Sequence, residues 1–160
     1  MPPYAVPELP EDTPLGREAR QTRALVDFFE QFSPADLARL DGVYAPEAAF
    51  KDPFNEVRGL TAVRAVYAHM FAQLHEPRFE VHDALLAPQA CMLTWTFHYA
   101  SKGAPGQARQ IRGSCHLRLD DTGRILVHRD YWDTGEELYA QVPVLGAVIR
   151  WLRRRIAARV

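Results

Sequence analysis

The apolar residues of this chain change their spacing once, close to Pro77, and that change restricts the folds available to it. Before Pro77 they recur every three or four positions, which is the period of an amphipathic helix. From there to about residue 134 they alternate with polar residues, which is the period of a half-buried strand. Helices followed by a meandering antiparallel sheet predict an α+β fold rather than alternating βαβ units.

The first half of the chain contains three predicted helices. Thr13-Pro14 supplies a cap and a first position for the first helix. Ser33-Pro34 begins a short second helix, with Asp36 at the reciprocal capping position. The third helix follows Thr61 and has the most regular spacing of the three. Their predicted apolar faces are Leu25, Phe28, Phe29 and Phe32; Leu37, Leu40, Val43 and Tyr44; and Val63, Val66, Tyr67, Met70, Phe71 and Leu74.

Three strands can be placed in the second half of the chain. Residues 91–99 alternate between an inner and an outer face, and a glycine- and proline-containing turn at 102–106 leads into the strand 107–120. A second turn, at 121–123, leads into the strand 124–134. Consecutive strands joined by short turns pair with each other, so we expect an antiparallel meander.

Small residues face bulky ones across the 102–106 hairpin. Trp95 is predicted to lie opposite Gly113, and Leu93 opposite Cys115, which leaves space for a pocket. The other interpretation is ordinary packing of large against small side chains, in which an aromatic ring covers the glycine of the strand. A pocket would suit a small hydrophobic molecule. Its expected lining is Tyr44, Phe50, Phe54, Tyr67, Met70, Phe71, Trp95, Phe97, Cys115 and Trp132.

The register of the 121–123 hairpin has two solutions. With a three-residue loop, His116 lies almost opposite Asp130 and shares its face. With a two-residue loop, Cys115 lies opposite Asp130 and His116 points outward. The apolar alternation along the preceding strand favours the two-residue loop. On the following strand, His128, Asp130 and Trp132 share one face.

Two motifs resemble one known superfamily. The stretch YAPEAAFKDPF at 44–54, followed by Arg58-Gly59 and the third helix, is similar to the same region of ketosteroid isomerases and SnoaL-like polyketide cyclases. The run HRDYW at 128–132, after a glycine turn, looks like their last strand. Trp132 falls where those proteins keep a pocket Trp, so the resemblance implies that Asp130, on the same face, points inward. The resemblance covers residues 16–142 and implies the nuclear-transport-factor-2-like fold, a cone-shaped, curved antiparallel or mixed sheet wrapped by three N-terminal helices. The superfamily contains isomerases, cyclases, dehydratases, epoxide hydrolases and non-catalytic binding modules.

The resemblance also implies roles for acidic residues. Asp52 matches the general base of ketosteroid isomerases, although an Asp-Pro turn residue that caps a loop is the alternative. The two oxyanion donors of those enzymes align with Phe28 and Cys115, neither of which is a strong donor. In SnoaL-like cyclases a His and an Asp on the last two strands take part in catalysis, and His116 and Asp130 match them.

These observations predict an enzyme that uses general acid–base catalysis on a small hydrophobic substrate. Asp130 is the expected proton shuttle, His128 or His116 would relay the proton, and Asp52 would assist at the mouth of the pocket. A purely structural pair of His128 and Asp130 is the alternative. No cofactor is expected, and the six histidines show no ligand spacing that predicts a metal site. The second hypothesis is a non-catalytic module of the same fold that binds a ligand or a partner.

The two ends of the chain differ from the predicted domain at 15–142. Residues 1–14 are rich in proline and acid and predict an extended tail. Residues 143–160 predict an amphipathic helix with five arginines. That helix either packs on the sheet or on a second subunit with its arginines in water, or contacts an anionic membrane surface or an acidic protein.

Charge and cysteine content limit the remaining possibilities. A net charge of −1 gives no overall attraction to nucleic acid. Cys91 and Cys115 are too few for a disulfide framework and are predicted to be reduced, packed thiols. The N-terminus has no signal-peptide pattern, so a cytoplasmic location is expected. The resemblance implies a homodimer formed through the exposed face of the sheet.

Overall fold

The structure is a computed structural model that describes residues 6–158; residues 1–5 and 159–160 of the predicted terminal segments lie outside the described residues. Its helices are α1 (Gly16–Glu30), α2 (Leu60–Gln73), α3 (Thr134–Glu137) and α4 (Leu145–Ile156), with 3-10 segments η1 (Pro34–Gly42) and η2 (Tyr139–Gln141). Its strands are β1 (Tyr44–Lys51), β2 (Glu56–Arg58), β3 (Leu74–Ala87), β4 (Ala90–Ser101), β5 (Ala104–Leu119) and β6 (Ile125–Tyr131).

The six strands form one sheet in the order β2-β1-β6-β5-β4-β3. Strands β3 to β6 are an antiparallel meander, which confirms the predicted α+β fold, and β1 adds to β6 in parallel. The sheet is therefore mixed. The sequence did not predict β1 or β2 as strands, and the placement of Tyr44 on the second helix was wrong, because Tyr44 begins β1. Only pairing with β6, about 80 residues later, makes this alanine-rich stretch extended.

The helix boundaries follow the local capping chemistry. The predicted start of α1 at Thr13-Pro14 was wrong, since the amide and hydroxyl of Thr13 donate to the Pro10 carbonyl and form a turn there. The helix begins at Gly16 instead. At η1 the predicted cap is confirmed: the backbone N–H and the hydroxyl of Ser33 donate to the carboxylate of Asp36, at 3.1 and 2.6 Å.

The β4–β5 hairpin has the predicted register, with Trp95 opposite Gly113 and Leu93 opposite Cys115. The indole ring of Trp95 lies over Gly113 so closely that a Cβ at this position would come within 2.6 Å of it. The position therefore requires glycine. The aromatic cover of this glycine directs Trp95 across the inner face of the sheet.

Beside the β5–β6 turn, Leu119 pairs with Ile125, as in a three-residue loop, but a bulge between Arg118 and Leu119 moves the rest of the hairpin into the register predicted for a two-residue loop. Cys115 pairs with Asp130, Leu117 with His128, and His116 with Arg129. Neighbouring residues on a strand point to opposite faces, so His116 lies on the outer face. The predicted approach of His116 to Asp130 does not occur, and the expectation that His116 relays a proton to it was wrong.

The core lies between α1, α2 and the inner face of the sheet. Its most buried members include Leu40, Val63, Leu117 and Ile125, none of which exposes measurable surface. The part of the N-terminal tail that the structure describes is draped on α1. Val6 is buried in the core, and the guanidinium group of Arg23 donates to the carbonyls of Val6 and Pro7 at 3.5 and 3.3 Å.

The C-terminal helix α4 packs on η2 and contributes no residue to the hydrophobic core. It contains twelve residues. Within residues 6–158, no helix combines the length and hydropathy that a membrane span needs.

Candidate active site

An apolar cavity of about 270 Å³ lies between α2 and the inner face of the sheet, and we call it the outer cavity. A smaller space of about 40 Å³, the inner chamber, continues behind it. Tyr67, Phe79, Trp95 and Asp130 line both. The outer cavity is also lined by Phe50, Asp52, Phe54, Asn55, Val66, His69, Met70, Leu74, Phe97, Tyr99, Ile111, Trp132 and Leu138, and the inner chamber by Phe29, Val81, Leu93, Cys115 and His128.

Most of the residues predicted to line a pocket reach this space. Seven of them line the outer cavity, and Cys115 lines the inner chamber. Tyr44 lies beneath the cavity wall and exposes no surface. Phe71 was expected in the lining but packs in the core against Phe32, with ring centroids 5.2 Å apart. The seven lining residues are Phe50, Phe54, Tyr67, Met70, Trp95, Phe97 and Trp132.

Four side chains form a continuous chain of hydrogen bonds under the cavity. The Tyr67 hydroxyl is 2.7 Å from the Tyr44 hydroxyl, and the Tyr44 hydroxyl is 2.6 Å from Nδ1 of His128. On the other side of the imidazole, Nε2 is 3.1 Å from Oδ1 of Asp130. Both ends of this chain, Tyr67 and Asp130, line the cavity, while Tyr44 and His128 are buried between them.

The hydrogen bonds of this chain can run in two directions, depending on the protonation of His128. With a proton on Nε2 alone, His128 donates to Asp130 and accepts from Tyr44, which accepts from Tyr67. With protons on both ring nitrogens, His128 donates to Tyr44 as well, and Tyr44 then donates to Tyr67. In that second arrangement the hydroxyl hydrogen of Tyr67 is available to a ligand. The protonation of His128 is thus linked to the donor capacity of Tyr67, at the end of the hydrogen-bond chain.

The two phenols and the thiol in this region are held in their neutral forms. Burial, reinforced by the nearby carboxylate of Asp130, raises the pKa of Tyr67 well above its ordinary value of 10.0. Burial, and then the proximity of Tyr67, also raises the pKa of Tyr44 well above 10.0. Burial and then the charge of Asp130 raise the pKa of the Cys115 thiol well above 9.0. The tyrosines are therefore donors at neutral pH rather than phenolate bases.

The carboxylate of Asp130 can still accept a hydrogen bond from a ligand. Its side chain is 16% exposed, and Oδ1 is bound to His128. Among residues 6–158, no protein donor lies on its second oxygen, Oδ2. A carboxylate that keeps one oxygen unoccupied at the wall of an apolar cavity can exchange a proton with a ligand held there.

Asp52 uses its carboxylate differently. Its Oδ1 accepts hydrogen bonds from the backbone N–H groups of Phe54 and Asn55, at 2.7 and 2.6 Å. The side-chain amide of Asn55 donates to both carboxylate oxygens, at 3.1 and 2.9 Å. These contacts are those of an Asx turn, which was the alternative interpretation of this residue. Asp52 still lines the outer cavity, at its mouth beside Phe54.

One group of side chains has metal-ligand atoms close together. In the part of the chain that the structure describes, a sulfur, an imidazole nitrogen and a carboxylate oxygen from Cys115, His128 and Asp130 lie within 4.8 Å of one another. Metal binding needs the thiolate form of cysteine, and the raised pKa of Cys115 opposes it. The donor types fit a soft cation, but the protonation state favoured here is that of a packed thiol.

Several lining residues were not predicted. Phe79 contacts Trp95, with ring centroids 5.6 Å apart, but two bulges in β3 hide its face from a simple alternation pattern. Leu138 follows the sheet in the chain and has no periodic signal at all. Val66 belongs to the predicted apolar face of α2 and could have been included. The tyrosine–histidine contacts were missed because they join residues 84 positions apart.

A wider surface groove of about 730 Å³ lies beside α1 and contains none of the predicted site residues. It is open and lined by polar side chains such as Gln21, Asp27 and Gln31. The outer cavity, with its apolar wall and its one unoccupied carboxylate oxygen, has the features expected of a small-molecule site.

Comparison with known proteins gives one family and many structures. Residues 25–128 match the SnoaL-like domain family. An LEH-like epoxide hydrolase of M. tuberculosis is 17% identical, with a TM-score of 0.62 over 82% of this chain and 93% of its own. A protein of Catenulispora acidiphila with a ketosteroid isomerase-like fold, solved with trimethylamine, is 16% identical, with a TM-score of 0.64 over 76% and 90%.

A third structure, from Jannaschia sp. CCS1 and assigned to the SnoaL-like polyketide cyclases, is 15% identical. Its TM-score is 0.63 over 78% of this chain and 92% of its own. No curated protein sequence matches the chain significantly. At these identities the structural likeness establishes the fold and leaves the reaction to the site residues.

Proposed function

The chain belongs to the SnoaL-like domain family, and on that premise we propose that it is an enzyme that uses general acid–base catalysis on a small hydrophobic substrate. Asp130 is the proton shuttle. The observation that carries the proposal is the hydrogen-bond chain from Tyr67 through Tyr44 and His128 to Asp130, both ends of which line the same apolar cavity. No cofactor takes part in the proposed reaction.

On an enolisable ketone, the unoccupied oxygen of ionised Asp130 removes a proton from the carbon next to the carbonyl. The C–H electron pair forms the C=C bond of the enolate, and the carbonyl π electrons move to oxygen. With both ring nitrogens of His128 protonated, Tyr67 donates a hydrogen bond to that oxygen and so takes the place of the donors that Phe28 and Cys115 cannot supply. Asp130 then returns the proton at another carbon, and His128 holds its carboxylate in position.

The lining favours a small and mostly apolar substrate. The outer cavity, at about 270 Å³, is just below the range of about 300–1,000 Å³ usual for drug-sized ligands. Aromatic rings form much of its wall, and Phe54 and Trp132 meet at its mouth with centroids 5.5 Å apart. A flat ring or a short chain with one carbonyl or epoxide oxygen fits this combination of shape and polarity.

The test is turnover of a panel of enolisable hydrophobic ketones and epoxides, with proton–deuterium exchange at carbon followed by NMR. We expect Asp130→Asn to lose about 100-fold to 10,000-fold in rate, because a positioned acid–base group contributes about that much. Asp52→Asn is the matched control, since its carboxylate is engaged in a turn, and should lose less than about tenfold. Wild-type turnover that survives in both variants would contradict the proposal.

The alternative, a non-catalytic binding module, is favoured by the apolar character of the lining. It predicts that a hydrophobic ketone binds to the wild type and to Asp130→Asn with the same affinity, while neither protein accelerates exchange. Binding without turnover across the panel would therefore favour this alternative.

A further inference from the structure

The C-terminal helix α4 turns mainly small and polar residues toward the domain, together with the half-buried Ile149. Gly146 is its one buried residue, and a Cβ there would come within 2.2 Å of the Ala140 carbonyl oxygen. The guanidinium group of Arg150 donates to that same carbonyl at 2.7 Å. Arg153 forms an ion pair with Glu136 at 3.4 Å. Most of the apolar residues of α4 therefore do not face the protein.

The apolar residues of α4 are left on the surface. Trp151 is 52% exposed and Ile156 is 81% exposed. A helix that packs on its own domain normally buries this stripe, because burial of apolar surface is the main source of its stability. The exposed stripe comprises Leu145, Val148, Trp151, Leu152 and Ile156.

The same segment is strongly basic. Residues 142–160 contain five arginines and no acidic residue, although the whole chain has a net charge of −1. Arg154 and Arg155 are both exposed. Arg155 lies on the same helix face as the apolar stripe, four residues after Trp151, and its guanidinium group is 5.3 Å from the Trp151 ring centroid. Arginine and tryptophan around an apolar stripe form the pattern of a helix that lies in a membrane interface.

We propose that α4 attaches this domain to an anionic lipid bilayer, with its apolar stripe in the interface and its free arginines on the phosphate groups. Charge decides between the possible occupants. A second copy of α4 would place arginines against arginines, and repulsion between like charges disfavours such an interface. An anionic bilayer matches both properties at once, because it offers apolar depth below a negatively charged surface.

The first experiment measures co-sedimentation of the full chain with vesicles. Vesicles of equal parts phosphatidylcholine and phosphatidylglycerol should carry the protein down at low ionic strength, whereas vesicles of phosphatidylcholine alone should not. Each basic residue near such a surface contributes about fivefold to partitioning, so Arg154→Gln/Arg155→Gln should weaken it about 25-fold. Arg109→Gln/Arg118→Gln removes two exposed arginines from β5 and is the matched control, which should bind as the wild type does.

The second experiment tests the apolar stripe. Leu152→Ser/Ile156→Ser should also lose vesicle binding, whereas Leu85→Ser, which removes an exposed leucine from β3, should retain it. The fluorescence of Trp151 should shift to shorter wavelength on anionic vesicles, and the shift should disappear in Trp151→Phe while sedimentation persists. Circular dichroism of each variant establishes that the domain is folded.

Three outcomes would overturn the proposal. The first is wild-type protein that stays in solution with anionic vesicles at low ionic strength. The second is equal binding by the wild type and Arg154→Gln/Arg155→Gln. The third is a protein–protein complex, either a dimer that Leu152→Ser/Ile156→Ser dissociates or a complex with an acidic protein, in the absence of vesicle binding.

Discussion

The two cavity aspartates show how the local donors decide what a carboxylate can do. Asp52 accepts from two backbone N–H groups and from the Asn55 amide, so its oxygens stabilise a turn. Asp130 accepts one hydrogen bond, from His128, and faces the cavity with its other oxygen. Since a general base needs an accessible lone pair, Asp130 is the better candidate although Asp52 matches the isomerase motif.

The buried hydrogen-bond chain depends on the hydroxyl group of Tyr44. Tyr44→Phe leaves Nδ1 of His128 and the Tyr67 hydroxyl without a partner in the core, which should lower the free energy of unfolding by about 3 kcal/mol. Tyr67→Phe breaks one bond and leaves Tyr44 paired with His128, so about 1 kcal/mol is expected. Urea unfolding measures both values.

The matched control is Tyr131→Phe, because this tyrosine is 45% exposed and its substitution should change stability by no more than about 0.5 kcal/mol. If Tyr44→Phe and Tyr67→Phe lowered the free energy of unfolding equally, the hydrogen-bond chain would not pass through Tyr44.

At the scale of the element, the β5–β6 hairpin sets the geometry of the site. Its register puts Cys115 opposite Asp130 and turns His116 away. Asp120 stabilises the turn, since its carboxylate accepts from the backbone N–H and the hydroxyl of Thr122 and from Arg124. Burial opposes ionisation of Asp120, but these hydrogen bonds outweigh it and lower its pKa from 3.8 to about 2.

Stability should therefore depend on the ionisation of Asp120 at acid pH. Its folded-state pKa lies below the ordinary value, so the stabilisation is complete above about pH 4 and is lost as the pH falls towards about 2. The shift corresponds to about 2 kcal/mol. Asp120→Asn should be less stable than the wild type by about that amount near neutral pH, and the difference should disappear near pH 2.

Denaturant unfolding at a series of pH values measures this difference. Asp121→Asn removes a negative charge from the same turn and is the matched control. A difference between the wild type and Asp120→Asn that stays constant from about pH 6 to about pH 2 would contradict the assignment.

At the scale of the whole molecule, α4 lies outside the hydrophobic core. The core contains α1, α2 and the inner face of the sheet, whereas α4 packs on η2 and forms an ion pair with Glu136 of α3. The homodimer through the exposed face of the sheet stays a prediction, together with the cytoplasmic location and the lack of nucleic-acid binding.

Removal of residues 143–160 should leave the core folded. Because α4 buries little apolar surface on the domain, we expect the thermal midpoint to fall by less than about 4 °C and turnover to be unchanged. Removal of residues 1–12 is the contrasting deletion. It takes Val6 out of the core and should cost about 2 kcal/mol. Scanning calorimetry compares the two, and loss of a cooperative transition on removing 143–160 would make α4 part of the core.

The sequence by itself determined what depends on neighbours along the chain. The change of period predicts the helices and the β4–β5–β6 meander, and the size pattern places Trp95 over Gly113. The alternation on β6 places Asp130 on the same face as Trp132, the resemblance makes that face the inner one, and both residues line the cavity. Each of these rests on spacings of a few residues, which the local backbone geometry converts directly into faces and turns.

Only the tertiary structure decided which residues meet across long separations. The parallel pairing of β1 with β6 makes a strand of a stretch that the sequence did not predict as one. It also places the Tyr44 hydroxyl 2.6 Å from Nδ1 of His128, 84 residues away. The turn around Asp52 and the exposure of the apolar side of α4 were also set by packing. The physical reason is that such contacts depend on how whole elements pack together. The periodicity within one element does not show which other elements will pack against it.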